Sequence, residues 1–580
     1  MAPARVNQDE EYDYIVCGGG TSGSVVAGRL AEDPNVRILV LEAGVDSADL
    51  ENVHMAGGWS QNFDAPTDWN IETVPAYGLG GRSIKASRGK FLGGSSGVNG
   101  MLCIRGTKQD YDDWGLDGWS GEEVFGYMKK AETFHGDDEF KEAKGYHGFS
   151  GPLHTEPHTL APISKLLLES MDDQGLPSVP DLFSTGEAAN GSGNTVRTVY
   201  NGIRTTGADF ITKDYHRSNI TIKTEMTVDK ILFESSSSGG KPRAHAVETL
   251  NASGERETFS ASKEIILSSG SYCSPAILLR SGIGPAKELA AINIDTIVDS
   301  PGVGKNLQDH MIVFIFYEVK DAGLTNDYQV YHGDAFAATY KQWKEEKKGF
   351  LAKFPFGAFA YARLDERLKD EPLWKNAQRK EGRDPMGLAP NQPNVEFFST
   401  ECYGGPKQLI DFPVDNKHCF SIIAELFSPH SHGTVTIKSS DPMEIPVVDH
   451  RYLEDPLDML VLSEACRFAN EIVIKGKGTK DVVKGSWPEK LTHHAYTKRE
   501  EWEPYVRENA TTCYHPGGTC KMGLPDDPMA VLDERLRVRG VEGLRVADVS
   551  VMPRLNQGHT QMPAYAIGEK CADMLKEDAR

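Results

Sequence analysis

Apolar positions near the start of the chain fall in two short runs, Tyr14–Cys17 and Val36–Leu41, the second interrupted only by Arg37. Runs of this length without alternation are those of strands covered on both faces. Between them Ser22–Ala31 follows a helical period, so the segment predicts strand, helix, strand. Asn219–Phe233 alternates apolar and polar positions and predicts a pair of strands. Lys263–Ser268 predicts a further buried strand. Cys419–Phe427 and Gly433–Ile437 predict strands of a second, largely antiparallel sheet, and Asp458–Val473 predicts a helix. Residues 340–385 mix Lys, Glu and Arg with Trp343, Phe350, Phe354, Phe356 and Trp374. The matching load of acids there predicts amphipathic helices with a solvated face, not a nucleic-acid surface. Residues 42–90 are loop-like, and Ser235–Gly240 reads as a surface turn.

The turn after the first run carries chemistry. Gly18, Gly20 and Gly23 have G-x-G-x-x-G spacing, and Glu42 ends the second run nineteen residues after Gly23. Gly18 permits a tight turn, Gly20 lets backbone approach a pyrophosphate, and Gly23 lets helix and strand pack closely. Thr21 and Ser22 open the helix, whose free N–H groups and dipole favour phosphate. Glu42, followed by Ala43, would accept hydrogen bonds from ribose hydroxyls. Such a strand–turn–helix–strand–acid series predicts dinucleotide binding. A second glycine-rich stretch, Arg88–Gly106, sets Gly93 and Gly94 before Ser95 and Ser96. Its hydroxyls and N–H groups suit phosphate and sugar oxygens. Arg88, Asn99 and Gly100 belong to the same expected cradle.

Composition narrows the class. With 580 residues, 39% hydrophobic and 25% charged, the chain is long enough for more than one domain. A net charge of −22 without a basic patch argues against nucleic acid and anionic membranes as partners. Nine scattered cysteines, with no C-x-x-C pair, predict reduced thiols and no metal site. The acidic first residues lack the apolar core of a secretory signal, and no apolar run reaches membrane-spanning length. The expectation is a cytoplasmic protein, monomeric or homodimeric.

Several segments resemble the glucose–methanol–choline (GMC) flavoprotein oxidoreductases, in particular the aryl-alcohol oxidase and alcohol dehydrogenase-like branch. Gly89–Asn99 matches a G-K-x-L-G-G-S-S-x-x-N signature, and GSYCSPAILLRSGIG, Gly270–Gly284, a second one. GVGKNLQDH, Gly302–His310, TTCYHPGGTCKMG and the stretch from Leu544 to Leu575 are similar too, in family order. The resemblance implies an α/β fold: a Rossmann-like FAD-binding domain with a substrate domain on a largely antiparallel sheet with helices. The implied division is FAD-binding at 1–155, 219–315 and 511–580, and substrate-binding at 156–218 and 316–510. Val228 would lie beside the adenine, Asp548 near the FAD chain, and Thr560 and Gln561 next to the flavin ring. Residues 340–385 would border the pocket entrance.

By the same resemblance, His515 is the base that takes the hydroxyl proton of a small-molecule alcohol, and His559 hydrogen-bonds the same oxygen. An imidazole, with an ordinary pKa near ~6.5, suits that task at neutral pH. Hydride passes to FAD, and O2 or a quinone-type acceptor reoxidises it. Tyr514 and Phe397, with Phe398, are expected in the substrate pocket, favouring a planar or unsaturated alcohol. Val98 stands where one branch tethers FAD through a histidine, so attachment is expected to be non-covalent. His559 stands where the formate-oxidising branch carries arginine, which makes formate a poor candidate; Arg554 remains a neighbour five residues upstream. The alternative reading is a lyase or cyclase that keeps FAD without redox chemistry.

Overall fold

The computed structural model describes residues 5–136, 140, 145–213, 218–234, 240–353, 355–405, 413–414 and 416–580. Phe354 and most of the Ser235–Gly240 turn lie outside the described residues.

Two seven-stranded sheets organise the chain. In the first, Arg5–Cys17 runs parallel to Ile38–Leu41 on one side and to Arg256–Leu267 on the other. Ile220–Lys223 and Leu544–Val546 extend this parallel part. Arg256–Leu267 also pairs antiparallel with Arg243–Asn251, which pairs with Met226–Glu234. The alternating stretch at 219–233 thus forms two strands, Ile220–Lys223 and Met226–Glu234. They do not pair with each other but take the two ends of the hydrogen-bonding path. Glu225, in the left-handed region at φ 57°, redirects the chain between them.

The first turn forms as its glycines require. Gly18 has φ 107°, a conformation open to glycine and costly for other residues. Helix Thr21–Leu30 follows, and a Cβ on Gly23 would stand 2.0 Å from the Gly18 carbonyl oxygen. The C-terminal helix Gln561–Asp578 packs on this helix, and the Ser22 hydroxyl donates to the Ala564 carbonyl at 2.7 Å.

The second sheet is antiparallel, in the order Val483–Ser486, Met311–Val319, Cys419–Leu426, Val395–Thr400, Phe356–Ala362 and Gly191–Gly193; Thr511–Thr512 joins beside Met311–Val319. Its two faces differ, as period-2 side chains dictate. Val313, Ile315, Phe397, Ala424 and Leu426 enter a core closed by helix Pro456–Lys475. Ile312, Phe314, Glu396, Phe398, Ile423 and Glu425 take the opposite face, toward the first sheet. The expected strand at Gly433–Ile437 is shorter, Thr434–Thr436, and pairs with Val447–Asp449 in a separate hairpin. Within 340–385, helices Ala335–Glu346 and Pro372–Asn376 bury Trp343 and Trp374. No helix among the described residues is long and apolar enough to cross a membrane.

Candidate active site

One continuous cavity runs between the sheets. At one end Gly18, Gly20, Thr21, Ser22, Glu42, Ala43 and Val228 form the wall; at the other stand Tyr514, His515, His559, Phe314, Phe356 and Phe398. Arg88, Gly94, Ser95, Asn99, Gly100, Asp548, Thr560 and Gln561 line the stretch between. Helices Thr21–Leu30, Gly270–Arg280 and Gln561–Asp578 all start at this wall, so their positive ends converge on it. Glu42 accepts from the N–H groups of Gly19, at 3.0 Å, and Gly44, at 2.8 Å. Burial nonetheless pushes its carboxyl up to about 7.

Three expected residues lie off this wall. Gly23 serves the close packing expected of it. Gly93 sits behind the wall, its N–H donating to the Gly19 carbonyl at 2.7 Å and so tying the two glycine-rich loops together. Phe397 is a correction: on a strand, neighbours point oppositely, and Phe398 holds the cavity side. Phe397 packs on Phe468 with ring centroids 5.4 Å apart, whereas the Phe398 ring lies 6.2 Å from that of His559.

The two histidines come together. Their rings lie 4.6 Å apart, both nearly buried. Asp309 fixes the backbone at the first, accepting from the His515 N–H at 2.8 Å and from the Thr512 hydroxyl at 2.6 Å. Beneath them sits a group the motifs did not announce. His559 Nε2 bonds Glu396 Oε2 at 2.9 Å and lies 3.6 Å from Glu425 Oε2. His515 Nδ1 lies 3.4 Å from Glu425 Oε1 and 3.1 Å from His310 Nδ1, which is 3.2 Å from the same oxygen. Among the described residues, His515 Nε2 and His559 Nδ1 make no hydrogen bond within the protein.

Glu396 and Glu425 are direct cross-strand partners. Two fully buried carboxylates so placed cannot both ionise without compensation. Burial raises Glu396 to about 7. Glu425 is held well below the carboxylate range despite burial, because His310, His515 and His559 surround it. Burial opposes the charge on His559, but Glu396 and then Glu425 outweigh it and raise its pKa to about 10. Burial, with the charge on His559, lowers His515 to about 4. At neutral pH one imidazole therefore carries a proton and the other is free to accept one. Ligand-type atoms of Glu396, Glu425 and His559 lie within 4.8 Å of one another. Glu396 Oε2 pairs with His559, whereas Glu396 Oε1 and both Glu425 oxygens are buried without a hydrogen bond among the described residues and rely on the charge of the surrounding imidazoles.

The cavity also fits a dinucleotide. The Nε and Nη2 atoms of Arg88 and the Nε2 of Gln561 are buried without partners, donors suited to phosphate or ring oxygens. A Cβ on Gly20 would find nothing nearer than 4.0 Å, so backbone there is open to a ligand. Val98, on the wall beside this stretch, offers no nucleophile.

A phosphate cradle opening onto paired imidazoles under an aromatic roof defines a flavin-dependent oxidoreductase. Family models described as GMC oxidoreductase match residues 12–312 and 429–568. The chain is 33% identical to a glucose dehydrogenase [FAD, quinone] of Drosophila pseudoobscura, over 99% of this chain and 88% of that one. It is 34% identical to an oxygen-dependent choline dehydrogenase of Burkholderia lata, over 98% and 94%. A crystal structure of formate oxidase superposes with TM-score 0.88 at 29% identity, covering 98% of both chains. The chain belongs to the GMC oxidoreductase family and binds FAD.

Proposed function

We propose that the protein oxidises a primary or secondary alcohol, aryl or unsaturated, to the carbonyl compound, with His515 as the base. The observation that carries this reading is the pair of imidazoles on the cavity wall, with rings 4.6 Å apart and the buried Glu396 and Glu425 behind them. The reaction removes a proton from the hydroxyl and a hydride from its carbon. FAD, when bound, supplies the hydride acceptor, which no side chain provides. An ionised Glu425 facing His515 Nδ1 selects the tautomer with hydrogen on Nδ1, leaving the Nε2 lone pair toward the cavity. His559, kept protonated by Glu396, donates to the oxygen and stabilises its developing negative charge.

The substrate end supports the choice of alcohol. Phe314, Phe356, Phe398, Ile312 and Leu102 give it an apolar wall. A sugar would need several hydrogen-bonding partners there. The guanidinium nearest in sequence, Arg554, faces a different cleft and does not offer a carboxylate such as formate a bidentate partner at the place of His559. The relatives named above use a quinone and oxygen, and both remain the acceptor classes to test. Anaerobic addition of benzyl alcohol should bleach the flavin absorbance. His515→Ala should lower kcat/KM by at least ~10²-fold. No bleaching with aryl, allylic or aliphatic alcohols would favour the non-redox reading.

A further inference from the structure

A second cleft, of about 570 Å3, opens on the far side of the segment that carries His559. Its walls are the 378–387 loop, the 428–432 turn after strand Cys419–Leu426, Asn306 and Gln308, and Pro553–Arg554. Arg379, Lys380, Arg383 and Arg554 face it together with His430 and His432. In a chain of net charge −22 this concentration of cations stands out against the background.

The acids around it are already engaged. Asp113 takes Arg383 through two contacts of 2.6 Å. Asp384 accepts from Asn394 at 2.6 Å and from Arg363 at 3.0 Å. Asp455 accepts the Leu457 N–H at 2.9 Å and stands 3.5 Å from His430. Arg379 donates only to backbone carbonyls, the nearer that of Trp374 at 2.7 Å. The side chains of Arg554 and Lys380 have no hydrogen-bond or ion-pair partner among the described residues. Arg554 is half-buried, where an unpaired guanidinium forfeits hydration without return. Opposite it lies Gly387, where even a Cβ would come 3.4 Å from Nη2. The absent side chain leaves the guanidinium fork open to the cleft.

We propose that this cleft binds a small oxyanion, a carboxylate or a phosphate, on the free guanidinium of Arg554 with Lys380 and Arg379 at its rim. A planar fork matches either anion bidentately. The occupant would touch two segments that lead into the catalytic group. Arg554 stands five residues before His559, and Ser428, three after Glu425, accepts from Gln557 Nε2 at 2.5 Å.

The test is calorimetric titration of the FAD-loaded enzyme with inorganic phosphate and with citrate, in chloride buffer of matched ionic strength. Saturable binding with Kd below ~1 mM is expected for at least one anion, and the tighter one identifies the source. Arg554→Ala should weaken it at least ~10-fold and Arg554→Lys less, because the fork is lost while the charge stays. The flavin spectrum and Tm check folding. Should Arg554→Ala not fold, Lys380→Ala on the exposed rim should weaken binding at least ~3-fold. No saturable heat with either anion, or unchanged affinity in the folded variants, overturns the proposal.

Discussion

Replacing Glu425 by Gln tests the charge arrangement most directly. The amide keeps the shape and one acceptor oxygen but removes the charge that His310, His515 and His559 share. A hydrogen bond to a charged group contributes about 1.5–3 kcal/mol. At about 1.4 kcal/mol per decade, losing an interaction of up to that size across the ion-pair contact between His515 Nδ1 and Glu425 Oε1 lowers the rate by ~10- to 10²-fold. The contact distance of 3.4 Å favours the lower part of that range. A Gln amide can also donate to His515 Nδ1. That would move the ring hydrogen to Nε2, the face meant to accept the proton, and push the loss toward the upper part.

The pH profile supplies a second, independent reading. His559 is raised to about 10, so its proton should persist through neutrality and be lost as pH rises through about 10. His515 is lowered to about 4, so the base should fail only as pH falls through about 4. Glu425 is one of two carboxylates that raise His559, so Glu425→Gln should bring the alkaline limb to lower pH. The assay is anaerobic stopped-flow reduction of the flavin by an aryl alcohol across this range. A rate within twofold of the native enzyme, or an alkaline limb that does not move while FAD content is normal, would refute the reasoning.

Other predictions separate wall from support. Phe397→Ala should destabilise the fold by about 3–5 kcal/mol in denaturant unfolding, as a large core truncation does, while kcat/KM of the folded enzyme changes less than ~3-fold. Phe398→Ala should raise KM for an aryl alcohol by ~10-fold or more, since its ring faces the cavity. Gly20→Ala should keep the fold and weaken FAD binding at least ~10-fold by fluorescence titration, because the methyl enters the space for the pyrophosphate. Gly23→Ala should fail to give soluble protein, since its Cβ would meet backbone at 2.0 Å. Acid denaturation should release the yellow colour into the supernatant, because Val98 cannot form a bond to the flavin; colour retained in the pellet would contradict that.

Local pattern made the first half of the site legible. The strand, turn, helix and Glu42 are consecutive, so spacing alone orders them, and His515 and His559 stand inside recognisable segments. What stayed hidden depends on register between distant strands. Glu396 and Glu425 each look like an isolated acid in an apolar run, Val395–Thr400 and Ile422–Phe427. A buried acid in such a run is itself a signal, because its desolvation must be answered by a partner. Only pairing of the two strands shows that they answer to the same imidazoles. The same period-2 geometry decides between Phe397 and Phe398, which residue type alone cannot. The chemistry is therefore divided by origin. His559 leads into the helix packed on the dinucleotide cradle, while the acids that charge it belong to the second sheet. Its protonation thus depends on how the two sheets meet, and small shifts between them should alter the rate before they alter FAD binding.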